Sequence, residues 1–129
     1  MLDLVVKNGK IVNSDQSLIA DVAIKDGKIV SIGDSEYFAQ SAKVIDAKNL
    51  LVFPGLIDSH VHINMELGEF TSLDTFEDAS IAAAYGGLTS MVEFSIPVGS
   101  QTPMDAMENS MKKAKGKSVI DYSFHGCVT

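Results

Sequence analysis

Basic residues, cysteine and histidine are all scarce in this chain, and each shortage excludes something. Ten Lys and Arg stand against seventeen Asp and Glu, a formal net charge of -7 with a pI of about 4.7. Nucleic acid and anionic membranes both reward clustered Lys and Arg, so neither is expected as a partner. A single cysteine, Cys127, rules out an internal disulfide and fits a reducing, cytoplasmic setting. It is read as a small buried hydrophobe on a strand and not as a nucleophile. The longest apolar run is broken by Pro54, and the N-terminus, MLDLVVKNGK, has no basic stretch followed by a long apolar core. Neither a membrane span nor a signal peptide is expected. What remains, 46% hydrophobic and 21% charged residues, is the composition of a globular protein of one or two small domains.

Residues 1–50 read as short β-strands, forming a small β-sheet layer. Strands are expected over Leu2 to Lys7, Ala20 to Lys25, Lys28 to Ile32 and around Val44 to Asp46. Asp26-Gly27 suits a tight hairpin turn, since glycine accepts positive φ, and Asn8-Gly9 suggests another turn. From Leu51 the order becomes strand, helix, strand, helix, strand, which predicts a parallel sheet of βαβ units over residues 51–129. The first strand is LLVFPGLID. The first helix is expected over Asp74 to Tyr85, with Phe76, Ala79 and Ala83 on one stripe and Gly86-Gly87 ending it. Leu88 to Phe94 is the second strand. The second helix has Thr102 as N-cap, Pro103 at its first position and Gly116 as its stop. Its methionines 104, 107 and 111 share a face and are read as core, and its terminal lysines as solvated complements to the helix dipole. Val119 to Phe124 is the third strand.

The chain has three histidines, and two of them stand in PGLIDSHVHIN. Strand alternation places Leu56, Asp58, His60 and His62 on one face and Ile57, Ser59, Val61 and Ile63 on the other. The apolar face would pack on the helices, leaving the polar face inward at the C-terminal end of the strand, where ligands collect in such folds. Two imidazoles about 6 to 7 Å apart at Cα, from roughly 3.3 Å of rise per residue, can aim at one metal ion. Asp58, one step deeper, is placed to accept a hydrogen bond from a ligand ring. His125, at the end of the third strand, stays open between an inward-facing and a supporting position.

At this point the residues resemble the cyclic amidohydrolases, whose first barrel strand ends in a motif like PG-x-ID-x-H-x-H. PGLIDSHVH fits several branches, among them dihydroorotase, allantoinase, hydantoinase and dihydropyrimidinase. MELGEFTSLDTFEDASIAAAYGGLTSMVEF and AKGKSVIDYSFHGCVT are similar to the hydantoinase and dihydropyrimidinase branch. Dihydroorotases usually carry an Arg two residues after the second His, to pair with a carboxylate. Here that position is Asn64, which turns the reading away from dihydroorotate and keeps allantoin as the rival substrate. The other reading is a non-catalytic, dihydropyrimidinase-like interaction protein or a remnant; proteins of that type lack the metal histidines, and His60 and His62 speak for the enzyme.

The resemblance implies an α/β protein: an N-terminal β-sandwich portion, then the first three strands and two helices of a (β/α)8 barrel. It implies a pair of divalent metals, typically zinc, with His60 and His62 holding one; a small cyclic amide as substrate; and a homo-oligomer. Asn64, Met65 and Leu67 would help shape the substrate pocket. A whole barrel needs about 250 residues, however. The carboxylated lysine, two further histidines and the catalytic aspartate of the resemblance have no match here and are expected beyond Thr129. The chain is expected to act as the N-terminal part of a longer enzyme and to be inactive alone.

Overall fold

The computed structural model describes residues 1–34, 36, 38 and 40–128, with the side chains at 42 and 67 outside the description. The class is mixed α/β, and the chain divides into two compact units, Met1–Pro54 and Gly55–Thr129.

The first unit is one sheet. β1 (Leu2–Val12), β2 (Ser17–Lys25), β3 (Lys28–Gly33) and β4 (Ser41–Asp46) run in the order β3-β2-β1-β4, and β5 (Leu51–Val52) also pairs with β1. β1 to β3 are antiparallel, whereas β4 and β5 run parallel to β1. Asp26 and Gly27 turn the β2–β3 hairpin with φ of 50° and 70°, both in the left-handed region that such a two-residue turn requires. Asn8-Gly9, expected to turn the chain, does not. Asn8 takes φ 63° inside β1, and the register slips between Val6 and Gly9, so the left-handed residue is absorbed as a β-bulge. Its N–H donates to Asp21 Oδ1 at 2.7 Å and its Nδ2 to Asp46 Oδ1 at 2.9 Å. That amide, followed by the Lys48 N–H, holds the Asp46 carboxyl below its ordinary range. Leu2, Val5 and Ala23 form the buried cluster, with Phe38 against it.

The expected strand LLVFPGLID is in fact two strands. Leu51–Val52 joins the first sheet, and Leu56–Val61 begins the second unit as β6. Pro54, which has no N–H to give a ladder, stands between them.

In the second unit β6 is followed by β7 (Glu66–Leu67), β8 (Phe70–Thr71), α1 (Phe76–Tyr85), β9 (Leu88–Ser95), α2 (Pro103–Ala114) and β10 (Asp121–Gly126). β10, β9 and β6 make a three-stranded parallel sheet in that order, while β7 and β8 pair as a small hairpin. One face of the sheet packs on both helices: Ile63, Phe76, Met91 and Ala114 are buried together, with Val61, Ala79, Ile120 and Phe124 against them. Thr75 caps α1 by accepting the Asp78 N–H at 3.2 Å. Ser80, fully buried in α1, donates to the Glu77 carbonyl and accepts the Val119 N–H, each at 3.0 Å. This contact anchors the approach to β10, which starts two residues later than expected and so contains His125.

α2 begins as the sequence predicts, with Thr102 and Asp105 in a reciprocal capping box and Pro103 behind them. Its methionine stripe is a correction. Met104 and Met111 are 63% and 53% exposed, while Ala106 and Ala114 are buried. Alanines let the helix axis approach the sheet closely, and the pattern Ala106, Ser110, Lys113, Ala114 follows the helical period. Only Met107 turns partly inward, its Sδ lying over Gly126, where a Cβ would come within 3.0 Å. Lys113 also departs from the solvated expectation, since its Nζ donates to the Asn64 carbonyl at 3.2 Å. Cys127 is half-buried and lies one residue past β10, its N–H donating to the Ser95 carbonyl at 3.1 Å. Among the described residues, no helix is long and apolar enough to cross a membrane.

Candidate metal-binding site

The face of the second sheet opposite the helices carries a cluster of rings. His60, near the end of β6, and His62, one residue past it, bring their Nε2 atoms to 3.3 Å from each other. Both side chains are exposed. Two donors about 2.0–2.1 Å from one centre and so spaced subtend an angle of about 105–110°, close to tetrahedral. The pair therefore fits two positions of a zinc-type site. Among the described residues no group of three or more His, Cys, Asp or Glu converges on one point, so the pair supplies two donors where such sites use three or four.

Simple alternation does not carry this geometry. β6 slips register against β9 between Asp58 and Val61, three steps on β6 matching two on β9, and the extra residue re-aims the strand end as bulges do. Asp58 acts on the backbone instead of the ring contact expected of it: its Oδ1 accepts the His60 N–H at 3.0 Å. Phe94, on β9, is packed by all three histidines. Its ring centroid lies 4.2 Å from that of His60, 5.6 Å from that of His62 and 4.6 Å from that of His125. His125 thus lies on the ring-bearing face, against Phe94.

The segment after the pair folds back on itself. Met65 N–H donates to Ser72 Oγ at 2.8 Å, and the Ser72 N–H returns to the Met65 carbonyl at 2.9 Å. Asn64, with φ 50°, and Met65 line a cavity of about 50 Å³ together with Glu93, Phe94, Ser110 and Lys113. The side chain of Leu67 lies outside the described residues. Glu93 is the member that the sequence reading missed. Its side chain is buried, and burial pushes the carboxyl up to about 7, against the opposing pull of the Ile63 N–H, the Lys113 charge and a hydrogen bond with Ser110. Its Oε2 has no hydrogen-bond partner among the described residues. A charged residue inside MVEF, facing the same way as Met91, was the available signal for it; Phe94 had none beyond its position at the strand end.

Comparison with known proteins bears on the family. No family model matches the chain. A D-hydantoinase of Geobacillus stearothermophilus is 43% identical over 120 residues, 93% of this chain and 25% of that protein. A dihydropyrimidinase of Dictyostelium discoideum is 34% identical over 126 residues, 98% of this chain and 25% of its own length. A solved D-hydantoinase structure superposes with a TM-score of 0.91 at 40% identity, covering 96% of this chain and 27% of the other. The chain thus spans about a quarter of the length of the relatives it matches.

Proposed function

This chain is homologous to the N-terminal portion, about 27%, of the D-hydantoinase and dihydropyrimidinase cyclic amidohydrolases, and from that premise we propose that it supplies the first metal-holding part of an enzyme that hydrolyses a small cyclic amide. The reaction is the opening of a hydantoin or 5,6-dihydropyrimidine ring. The observation that supports this reading is the convergence of the His60 and His62 Nε2 atoms at 3.3 Å. A bound divalent ion, zinc as the family resemblance implies and as imidazole donors accept, would supply Lewis acidity toward the ring carbonyl. His60 and His62 would hold it, Asp58 steadies the His60 backbone, and Phe94 packs against both imidazole rings. Asn64 and Met65 form part of one wall of the substrate pocket. The remaining metal ligands and the proton shuttle come from the longer enzyme, and the enzyme is a homo-oligomer.

Two experiments test this. Zinc affinity of the chain falls by roughly tenfold or more in His60→Ala and in His62→Ala, because each removes half of the donors; equal uptake by all three proteins would refute the pair as ligands. A chimera in which this chain replaces the homologous part of the Geobacillus stearothermophilus D-hydantoinase opens hydantoin or dihydrouracil, whereas the isolated chain with excess Zn²⁺ does not. A folded, zinc-loaded chimera that opens neither ring while the parent does would overturn the functional reading, and a chimera active on allantoin alone would reassign the substrate.

A further inference from the structure

We propose that His125 is a positioning residue for His60, acting from the far strand of the sheet. β10 and β6 do not touch as strands, since β9 lies between them. Even so, His125 Nε2 lies 3.2 Å from the carbonyl oxygen of Ser59 on β6. A carbonyl oxygen only accepts, so this nitrogen carries a hydrogen.

The acceptor is what makes the contact specific. The Ser59 carbonyl and the His60 N–H are the two ends of one rigid peptide unit. Its N–H end is already held, donating to Asp58 Oδ1 at 3.0 Å. His125 holds the other end. Side chains therefore grip this peptide from both sides within the stretch where the β6–β9 register slips, between Asp58 and Val61. A change in ψ at Ser59 or in φ at His60, which would pull the unit from these two holds, would re-aim the His60 side chain and carry its Nε2 away from that of His62.

A second route runs through the rings. His125 and Phe94 are register partners on β10 and β9, with centroids 4.6 Å apart and planes tilted by 43°. Phe94 in turn lies 4.2 Å from the His60 ring with a tilt of 34°. Peptide and imidazole of His60 are thus both referred to His125. Ligand imidazoles are commonly steadied by a partner on the ring itself; here the restraint reaches the backbone and the ring face.

The proposal rests on the reading of His60 and His62 as ligands, and its test separates the two. In the full 129-residue chain, His125→Phe keeps a ring on Phe94 but loses the donor, and it weakens Zn²⁺ binding by about tenfold. His125→Gln, whose side-chain amide still donates, recovers most of that loss. Urea unfolding of the same variants separates the effect from stability, since a purely structural histidine would lower the midpoint without a donor-dependent change in zinc affinity. Without metal, ¹⁵N-edited spectra of the wild type show the His125 hydrogen on Nε2, and the His60 amide hydrogen exchanges faster in His125→Phe than in the wild type. An Nδ1–H tautomer in the wild type overturns the proposal, and so does a His125→Phe protein that protects the His60 amide and binds zinc as the wild type does. If His60→Ala and His62→Ala bind zinc normally, the ligand reading falls, and the metal-free spectra alone decide the positioning role. Should His125→Phe fail to fold, the wild-type tautomer decides it.

Discussion

Glu93 puts a carboxyl group on the face of β9 that packs against the helices, beside Met91 and Ser95. Desolvation disfavours its charged form, so the folded chain holds it near 7 against an ordinary 4.5. For an acid whose pKa is raised by folding, the stabilising contribution is complete below the unfolded pKa and is lost as pH climbs through the folded one. Between about pH 4.5 and 7 the chain should therefore lose stability. Glu93→Gln, neutral and of the same shape, should flatten that slope and raise the urea midpoint at pH 8 above the wild type's. A variant whose midpoint follows pH as the wild type's does would show that another group carries the dependence. At this scale the histidine pair was legible in the sequence, because two imidazoles one residue apart at a strand end have few structural uses. Glu93 and Phe94 were not legible, because their significance depends on which neighbours α2 and β10 bring to them.

Helix ends were the most legible elements. Thr102, Pro103 and Asp105 act locally, through hydrogen bonds spanning only three residues, so no tertiary information was needed to place them. Thr102→Ala should cost about 1 kcal/mol by exposing helix N–H groups, read as a lower thermal midpoint. Since Thr102 also holds the Asp105 carboxyl below its ordinary range, this contribution is present at neutral pH and fades as Asp105 protonates on acidification. The methionine face was misread because periodicity identifies a stripe without saying what covers it. Met104→Ala and Met111→Ala should each change stability by no more than about 0.5 kcal/mol, while Met107→Ala, which uncovers Gly126, should cost about 1–2 kcal/mol. Parallel urea titrations of the three variants check the order. Gly55 is a further constraint invisible in the sequence: a Cβ there would run into the Thr89 side chain, so Gly55→Ala should destabilise by about 1–3 kcal/mol.

For the whole molecule, the strongest consequence is uncovered apolar surface. In the first unit Ile29, Val30 and Leu51 are all more than half exposed, and in the second Leu56, Ile57 and Val119 are as well. Among the described residues β6 and β10 are the outer strands of their sheet, and free strand edges beside apolar faces invite association. The isolated chain should sediment as species larger than its 13.8 kDa, with the proportion rising with concentration; a single monomeric boundary at high concentration would contradict this. The alternation of strands and helices after Leu51 was legible because each element has its own period and its own stops. The partition of LLVFPGLID between two sheets was not, since it depends on β1 offering Lys10 and Ile11 as partners to Leu51 and Val52.

By itself the sequence determined the class of the protein, the alternation of its principal strands and helices after Leu51, the N-cap of α2, the Asp26-Gly27 turn and the pairing of two imidazoles at a strand end. All of these are set by short-range chemistry: side-chain period, backbone conformation and the choice of donor atoms. Only the tertiary structure decided that Asn8 would bulge and not turn, that alanines and not methionines would face the sheet, and that Glu93 would be buried. It also decided that His125, more than sixty residues away in the chain, would reach the peptide bond ahead of His60. Those outcomes depend on strand register and on how closely a helix approaches a sheet, quantities that exist only once distant segments have met.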